Sequence, residues 1–279
     1  YPFRSLHHSR PRIQRCTLQR MEFVKLDAAG NDFIAFDLRG TKGATWTPTP
    51  AQTSQWCDRR RGIGADGVLL MRPGGVGADF HLTFLNPDGS EAFCGNGARA
   101  AFAWWRSLSD NAFNEAHFTA LDGLHEGHWV EGEPCVDLML TELPRDTAHG
   151  AFVHSGTEHL VLGMPGDELS GLDLDALATP LRHHGDFAPN GVNVNVVATT
   201  PDADGFYAMR TYEKGVEGET LSCGSGTVAA AAVLRWSSSG EAFKFRAPGG
   251  TLGVVFADEK RAWLSGPVEM PFSGTILLS

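Results

Sequence analysis

Two stretches decide how this chain is read: CGNGARAAFA at residues 94–103 and CGSGTVAAAA at residues 223–232. They agree at the cysteine, at both glycines and at three alanines. Each opens an alanine-rich apolar run, so buried helices are expected over 97–108 and 227–236. Upstream, Gly30-Asn31-Asp32-Phe33 precedes Ile-Ala-Phe, and Gly156-Thr157-Glu158-His159 precedes Leu-Val-Leu. Gly30 lies 64 positions before Cys94, and Gly156 lies 67 before Cys223. Between them, Gly67-Val68-Leu69 and Gly191-Val192-Asn193 begin 27 and 32 positions before their cysteines. Three landmarks in one order at similar spacing indicate two copies of one lobe, with the junction in the polar stretch 141–150 that holds Pro144. β-rich runs at 22–26, 32–37, 67–71, 80–85 and 135–140 complete the outline of a mixed chain.

The position of the two cysteines carries the chemistry. A thiol followed by Gly-x-Gly and a helix sits at the helix N-terminus, where unpaired N–H groups and the positive end of the dipole favour anions. That setting lowers a thiol pKa from roughly 8.5 and makes the sulfur a usable base. The glycines allow close approach of a ligand, and two helix ends together form a pocket suited to a carboxylate. If the lobes pack pseudo-symmetrically, Cys94 and Cys223 face each other across a cleft. Inverting an α-carbon needs a base on one face and an acid on the other, which a thiolate and a thiol supply. Holding the α-carboxylate in N–H donors lets the developing charge delocalise onto it. No lysine stands out for a pyridoxal Schiff base and no metal-ligand cluster is evident, so neither cofactor nor metal is expected.

Composition bounds the alternatives. At 279 residues, with 42% hydrophobic and 20% charged, the chain suits a globular protein of one large or two modest domains. A net charge of −10 argues against nucleic acid or an anionic membrane as partner. No apolar run approaches the roughly 18 residues of a membrane-spanning helix. The five cysteines show no CxxC spacing, which points to free thiols and a cytoplasmic location rather than a disulfide scaffold. Residues 1–20 are basic and polar and are read as a non-native or disordered extension outside the fold.

The chain resembles the diaminopimelate epimerases over nearly all of residues 21–279. The resemblance rests on DAAGNDF (27–33), GIGADG (62–67), FLNPDGSEAFCGNGAR (84–99), GVNVNVV (191–197) and RTYEKGVEGETLSCGSG (210–226). It implies an α/β (α+β) fold of two pseudo-symmetric lobes of mixed sheet, each wrapped around a central helix, with the site in the cleft between them. The lobes are expected at 21–141, completed by 270–279, and at 142–269. The implied reaction interconverts LL- and meso-diaminopimelate by cofactor-independent 1,1-proton transfer between Cys94 and Cys223, and the implied assembly is a homodimer. By position, Asn31 is a donor near the reacting end, and Gly95, Asn96, Gly224 and Ser225 offer backbone N–H groups to the reacting carboxylate. Asn86 and Asn193 match residues holding the distal amino-acid group. Glu213 and Lys214 match a carboxylate for the distal amine beside a cation for the distal carboxylate. His159 matches a cleft histidine that tunes one thiol.

Four departures from the family pattern stand out. Lys214 replaces arginine, Thr157-Glu158 replaces Asn-Pro, Gly67 stands where some members have glutamine, and the stretch from Asn86 to Cys94 is one residue short. Three other readings fit parts of the pattern: a proline-like racemase or epimerase of another amino acid, a non-catalytic amino-acid-binding protein, and a thiol-redox protein. The proline racemases carry histidine where Asn96 stands and lack the Glu213-Lys214 pair, and binding alone needs neither cysteine.

Overall fold

The computed structural model describes residues 19–40, 45–238 and 240–278. Residues 1–18 of the expected extension, with Cys16, lie outside the described residues. The strand that opens the fold already runs from Gln19, and Gln19 and Arg20 pair with Leu278 and Leu277.

One pattern of strand pairing occurs twice. In the first half, Gln19–Ala28 is antiparallel to Asn31–Asp37, which is parallel to Gly67–Pro73, which is antiparallel to Phe80–Leu85. Phe80–Leu85 is then parallel to Glu115–Ala120, and Gly123–Val130 and Glu133–Met139 follow as antiparallel neighbours. In the second half, Gly150–His154, Glu158–Met164, Asn193–Ala198, Phe206–Glu213, Ala242–Ala247, Gly250–Phe256 and Arg261–Ser265 repeat the same order of antiparallel and parallel steps. The halves join where Glu133–Met139 pairs antiparallel with Arg261–Ser265. After each half the chain crosses over: Glu142–Thr147 pairs with Gly150–His154, and Glu269–Leu278 returns to Gln19–Ala28. Among the described residues the result is a continuous sheet of 18 strands.

Each half curls around one helix, Gly95–Leu108 or Gly224–Ser237. Both are buried along most of their length, as a helix enclosed by sheet must be. Ala98, Ala100, Ala101, Phe102, Trp104 and Trp105 of the first, and Val228 to Ala232 of the second, belong to one continuous core. Phe102 is fully buried there, worth about 1.5–3 kcal/mol over an exposed ring. The alanines of the second helix are small enough for strands to close on all sides.

The ladders correct one landmark. Phe33 pairs with Gly67, and its counterpart His159 pairs with Asn193, not with Gly191. Gly191 instead closes a turn two residues before the strand, at φ +66° with its N–H donated to the Phe187 carbonyl at 2.8 Å. The repeat therefore aligns Gly67 with Asn193 and, one strand on, Asn86 with Glu213.

Candidate active site

The helices start earlier than sequence periodicity indicates, at Gly95 and Gly224, because the cysteines themselves are the N-caps. Cys94 (φ −135°, ψ 114°) and Cys223 (φ −128°, ψ 113°) share one extended conformation. Each sulfur accepts the N–H three residues on, Gly97 or Gly226, at 3.4 Å. The two helix ends abut. A Cβ on Gly224 would lie 2.9 Å from Asn96 Oδ1 and 2.9 Å from Leu264 Cδ2, and one on Gly95 would lie 3.0 Å from Leu138 Cδ2. Only glycine lets both N-termini approach each other over the strands that join the halves.

Around Cys94, the thiol donates to Asn31 Oδ1 at 3.7 Å, and Asn96 Nδ2 donates to the same oxygen at 3.4 Å. Asn31 Nδ2 donates to Asp66 Oδ2 at 2.8 Å, which fixes the amide. Asp66 is held by Arg59, which also grips Asp32, and Lys25 pairs with Asp32 at 2.6 Å. Asn96 is set from the other side by Arg99, whose Nη2 donates to Asn96 Oδ1 at 2.9 Å. Arg99 is fully buried, and its Nε and Nη1 have no hydrogen-bond partner among the described residues. Burial pulls its guanidinium down to about 10. Sequence reasoning missed Asp66, Asp32, Arg59 and Arg99. Asp32, Asp66 and Arg99 lie inside the quoted motifs, where charged residues among glycines and apolar neighbours were the available signal.

Around Cys223, a polar chain leads away from the sulfur. Cys223 Sγ lies 3.6 Å from Ser225 Oγ, and Ser225 Oγ lies 3.1 Å from His159 Nε2. Thr211 donates to Asn195 Oδ1 at 3.0 Å, so the Asn195 amide nitrogen faces His159 Nδ1, also at 3.0 Å. Nδ1 is therefore the acceptor, Nε2–H donates to Ser225, and the serine hydroxyl is free to donate to sulfur. Burial, reinforced by the charge of Lys214, pushes His159 down to about 3, so the ring is neutral. Glu213 Oε1 accepts from Thr220 Oγ1 at 2.6 Å, and its carboxyl lies near enough to Cys223 for its charge to act on the thiol. Burial raises its carboxyl above the usual range.

Both thiols titrate opposite to the expectation from their helix ends. Burial pushes Cys94 up to about 12 against the help of the Gly97 and Asn96 N–H groups. It lifts Cys223 well above the ordinary value, with Glu213 adding to the effect. Cys94 and Glu213 keep part of their surface accessible, but their titrating atoms sit where neighbours crowd out water. Desolvation outweighs a helix dipole of about half a charge.

One residue further along each strand lies the second cluster. Lys214 Nζ forms an ion pair with Glu158 Oε2, and Asn190 donates to Glu158 Oε1 at 2.8 Å. Burial works against the Glu158 charge, yet Lys214 and Asn190 hold its carboxyl down at about 2. Asn193 ties both together, accepting from the Lys214 N–H at 2.9 Å and donating to the Glu158 carbonyl at 3.2 Å. Asn86 hydrogen-bonds within its own hairpin, to Ser90 Oγ at 3.1 Å. Hydrogen bonds thus link Asn31, Cys94 and Asn96 on one side and Cys223, Ser225 and His159 on the other, with Glu213, Lys214 and Asn193 adjoining. The described cysteines are free thiols. Among the described residues, His149, His184 and Asp186 bring three possible metal-ligand atoms within 4.8 Å of one another, apart from the thiols. No helix of the described residues is long and apolar enough to cross a membrane.

In fold, the chain is similar to a PhzF-family phenazine biosynthesis protein from Enterococcus faecalis, with a TM-score of 0.71 at 16% identity, covering 93% of this chain and 100% of that one. In sequence it is similar to the diaminopimelate epimerase of Hydrogenobaculum sp., 33% identical over 92% of this chain and 98% of the relative. The diaminopimelate epimerase of Chlorobaculum tepidum is 36% identical over 91% of this chain and 100% of that relative. These likenesses place the protein among the isomerases. The family model described as diaminopimelate epimerase matches residues 151–271. The chain belongs to the diaminopimelate epimerase family.

Proposed function

We propose that the protein interconverts LL- and meso-diaminopimelate by transferring one proton off, and another onto, the same α-carbon, with Cys94 and Cys223 as the two acid–base groups and no cofactor. The observation that carries this reading is the pair of matched N-capping sulfurs on two helix ends that meet at the seam of the repeat. The substrate α-carboxylate lies against the first-turn N–H groups of Gly95, Asn96, Gly224 and Ser225, where two helix dipoles together supply about one positive charge. That charge stabilises the carbanionic character developing at the α-carbon. A thiolate on one face gains the substrate proton while the thiol on the other face gives one up, so the pair exchanges roles and no net proton is lost.

Raised thiol pKa values mean that both sulfurs carry protons before substrate enters. One proton leaves on binding. The Glu213 carboxyl, which lies near the Cys223 thiol and whose pKa is raised by burial, is placed to take it. The incoming α-ammonium favours the thiolate that remains. The Ser225 hydroxyl, oriented by neutral His159, donates to a Cys223 thiolate. At Cys94 the contact has the opposite sense: Asn31 Oδ1 accepts from the thiol and from Asn96 Nδ2, so it favours the protonated sulfur.

In this reading the lobes are 21–141 with 270–279, and 142–269. The twofold repeat of strand order supports the division, and the crossover of the last strand supports the return to the first lobe. Family resemblance supports a cytoplasmic homodimer serving lysine and peptidoglycan synthesis. The test is proton NMR of LL-diaminopimelate with the reduced protein in D₂O. The α-proton signal is expected to disappear as the meso isomer forms; a folded, reduced sample that leaves the signal intact overturns the proposal.

A further inference from the structure

A further polar cluster lies in the second half of the chain, outside the hydrogen bonds traced from either sulfur. His149 sits in the turn between the antiparallel strands Glu142–Thr147 and Gly150–His154, and His184 and Asp186 belong to the capped 3₁₀ turn Gly185–Phe187. His149 and Asp186 are 37 positions apart, so no sequence spacing announces the group. One carboxylate oxygen, Asp186 Oδ2, lies 3.0 Å from His149 Nε2 and 3.6 Å from His184 Nδ1. The two imidazole centroids are 4.1 Å apart. Backbone and core hold these side chains in place. The His149 N–H donates to Thr147 Oγ1 at 3.1 Å, and that hydroxyl donates to the Gly150 carbonyl at 2.7 Å. The Asp186 N–H donates to His184 Nδ1 at 3.2 Å, and the buried Phe187 ring packs against both imidazoles.

An N–H donated to His184 Nδ1 requires a lone pair on that nitrogen, so this ring carries its proton on Nε2. The Nδ1 lone pair and the Asp186 oxygen, both electron-rich, therefore lie 3.6 Å apart with no proton of their own between them. We propose that His149, His184 and Asp186 bind one divalent transition-metal ion there, of the kind that prefers imidazole and carboxylate, with zinc as the type. His149 presents Nε2 once its ring proton moves to Nδ1, an exchange of tautomers that leaves the imidazole neutral. His184 presents Nδ1 in the tautomer it already holds, giving up one long backbone hydrogen bond. Ligand atoms about 2.0–2.2 Å from a tetrahedral ion stand about 3.3 Å from one another. The observed 3.0 and 3.6 Å lie on either side of that value. The His184 and Asp186 side chains keep 40% and 61% of their surface accessible, so an ion enters from solvent and water completes its coordination. The neighbouring His183 turns away to Glu217, at 3.3 Å, and stays outside the set. A bound ion joins the strand turn to the 3₁₀ turn, two segments distant in sequence, and takes no part in the proton transfer between the thiols.

Calorimetry with zinc sulfate on the full-length, chelator-washed protein tests the site, with accessible thiols alkylated beforehand so that sulfur does not compete. One zinc per chain is expected, with a Kd below about 100 µM, and zinc should raise the melting temperature by binding the folded state. His149→Ala, His184→Ala and Asp186→Asn should each weaken binding about tenfold or more, whereas His183→Ala should leave it unchanged. Cobalt(II) in place of zinc should show the visible bands of a nitrogen–oxygen site without sulfur-to-metal charge transfer, and the same three substitutions should remove them. Asp186 is exposed, so Asp186→Asn keeps the test decisive where loss of a histidine disturbs the fold, which melting without zinc reveals. Absence of a saturable equivalent below about 100 µM zinc overturns the proposal. So does an equivalent that the folded variants retain, which places the ion elsewhere.

Discussion

Replacing Ser225 with alanine tests the polar chain behind Cys223. The hydroxyl lies 3.6 Å from sulfur and 3.1 Å from His159 Nε2. A hydrogen bond to a charged group contributes about 1.5–3 kcal/mol, and the long approach to sulfur places this one at the lower end. At about 1.4 kcal/mol per unit, its loss raises the Cys223 pKa by about one unit. At fixed pH the thiolate fraction falls tenfold, but the remaining thiolate is more nucleophilic, with a Brønsted slope of about 0.4–0.5. Alkylation of Cys223 by iodoacetamide should therefore slow about three- to fourfold. Cys94 hydrogen-bonds with Asn31 rather than Ser225, so its alkylation, followed by mass spectrometry in the same sample, is the internal control. The substitution also strands the buried His159 Nε2–H, a cost of about 1–3 kcal/mol that denaturant melts will register. Ser225→Thr keeps the hydroxyl and should restore both readings. An unchanged Cys223 rate in Ser225→Ala, with Cys94 also unchanged, would refute the hydroxyl's role at sulfur.

Other substitutions probe the remaining links. Cys94→Ala and Cys223→Ala should each lose epimerisation by a factor of about 10²–10⁴ or more, and equal mixtures should not recover it; turnover by either alone removes the two-base mechanism. Gly224→Ala drives a methyl into Asn96 and Leu264, both 2.9 Å from its Cβ, and should cost about 1–3 kcal/mol, read as a melting temperature lower by several degrees. His159 is depressed from 6.5 to about 3 in the fold, so the unfolded chain binds the extra proton between those values. Its contribution to stability is complete above pH 6.5 and falls away as pH drops toward 3. His159→Gln should thus flatten the pH dependence of urea unfolding between about 6.5 and 4.5 by up to about 1.4 kcal/mol per pH unit; an identical slope in both proteins would show that the ring is not held neutral.

Local features were legible because their causes are local. Cys-Gly-x-Gly ahead of an alanine-rich run specifies a helix with sulfur at its cap, whatever surrounds it, and both caps form as read. The strands at 67–71 and 80–85 followed from apolar runs and lie within the strands Gly67–Pro73 and Phe80–Leu85. The helix Pro50–Cys57 went unread although Thr49 and Gln52 form a capping box with Pro50 at its first position, because its apolar face is too short to show a period. The match of Gly67 to Gly191 was made by residue identity, whereas register depends on which backbone groups face across a ladder, and that makes Asn193 the counterpart.

What the sequence determined alone is the repeat, written in landmarks that recur in one order, and the two capped helices with a thiol at each, written in residues a few positions apart. Only the tertiary structure decided who stands beside whom. It brought Glu158 to Lys214, Arg99 to Asn96, and the Glu213 carboxyl to Cys223. It also decided the sign of the thiol shifts. The helix end that lowers a thiol pKa is a local feature, but the desolvation that raises it comes from elements distant in sequence that pack around the sulfurs, and here that enclosure is the larger effect.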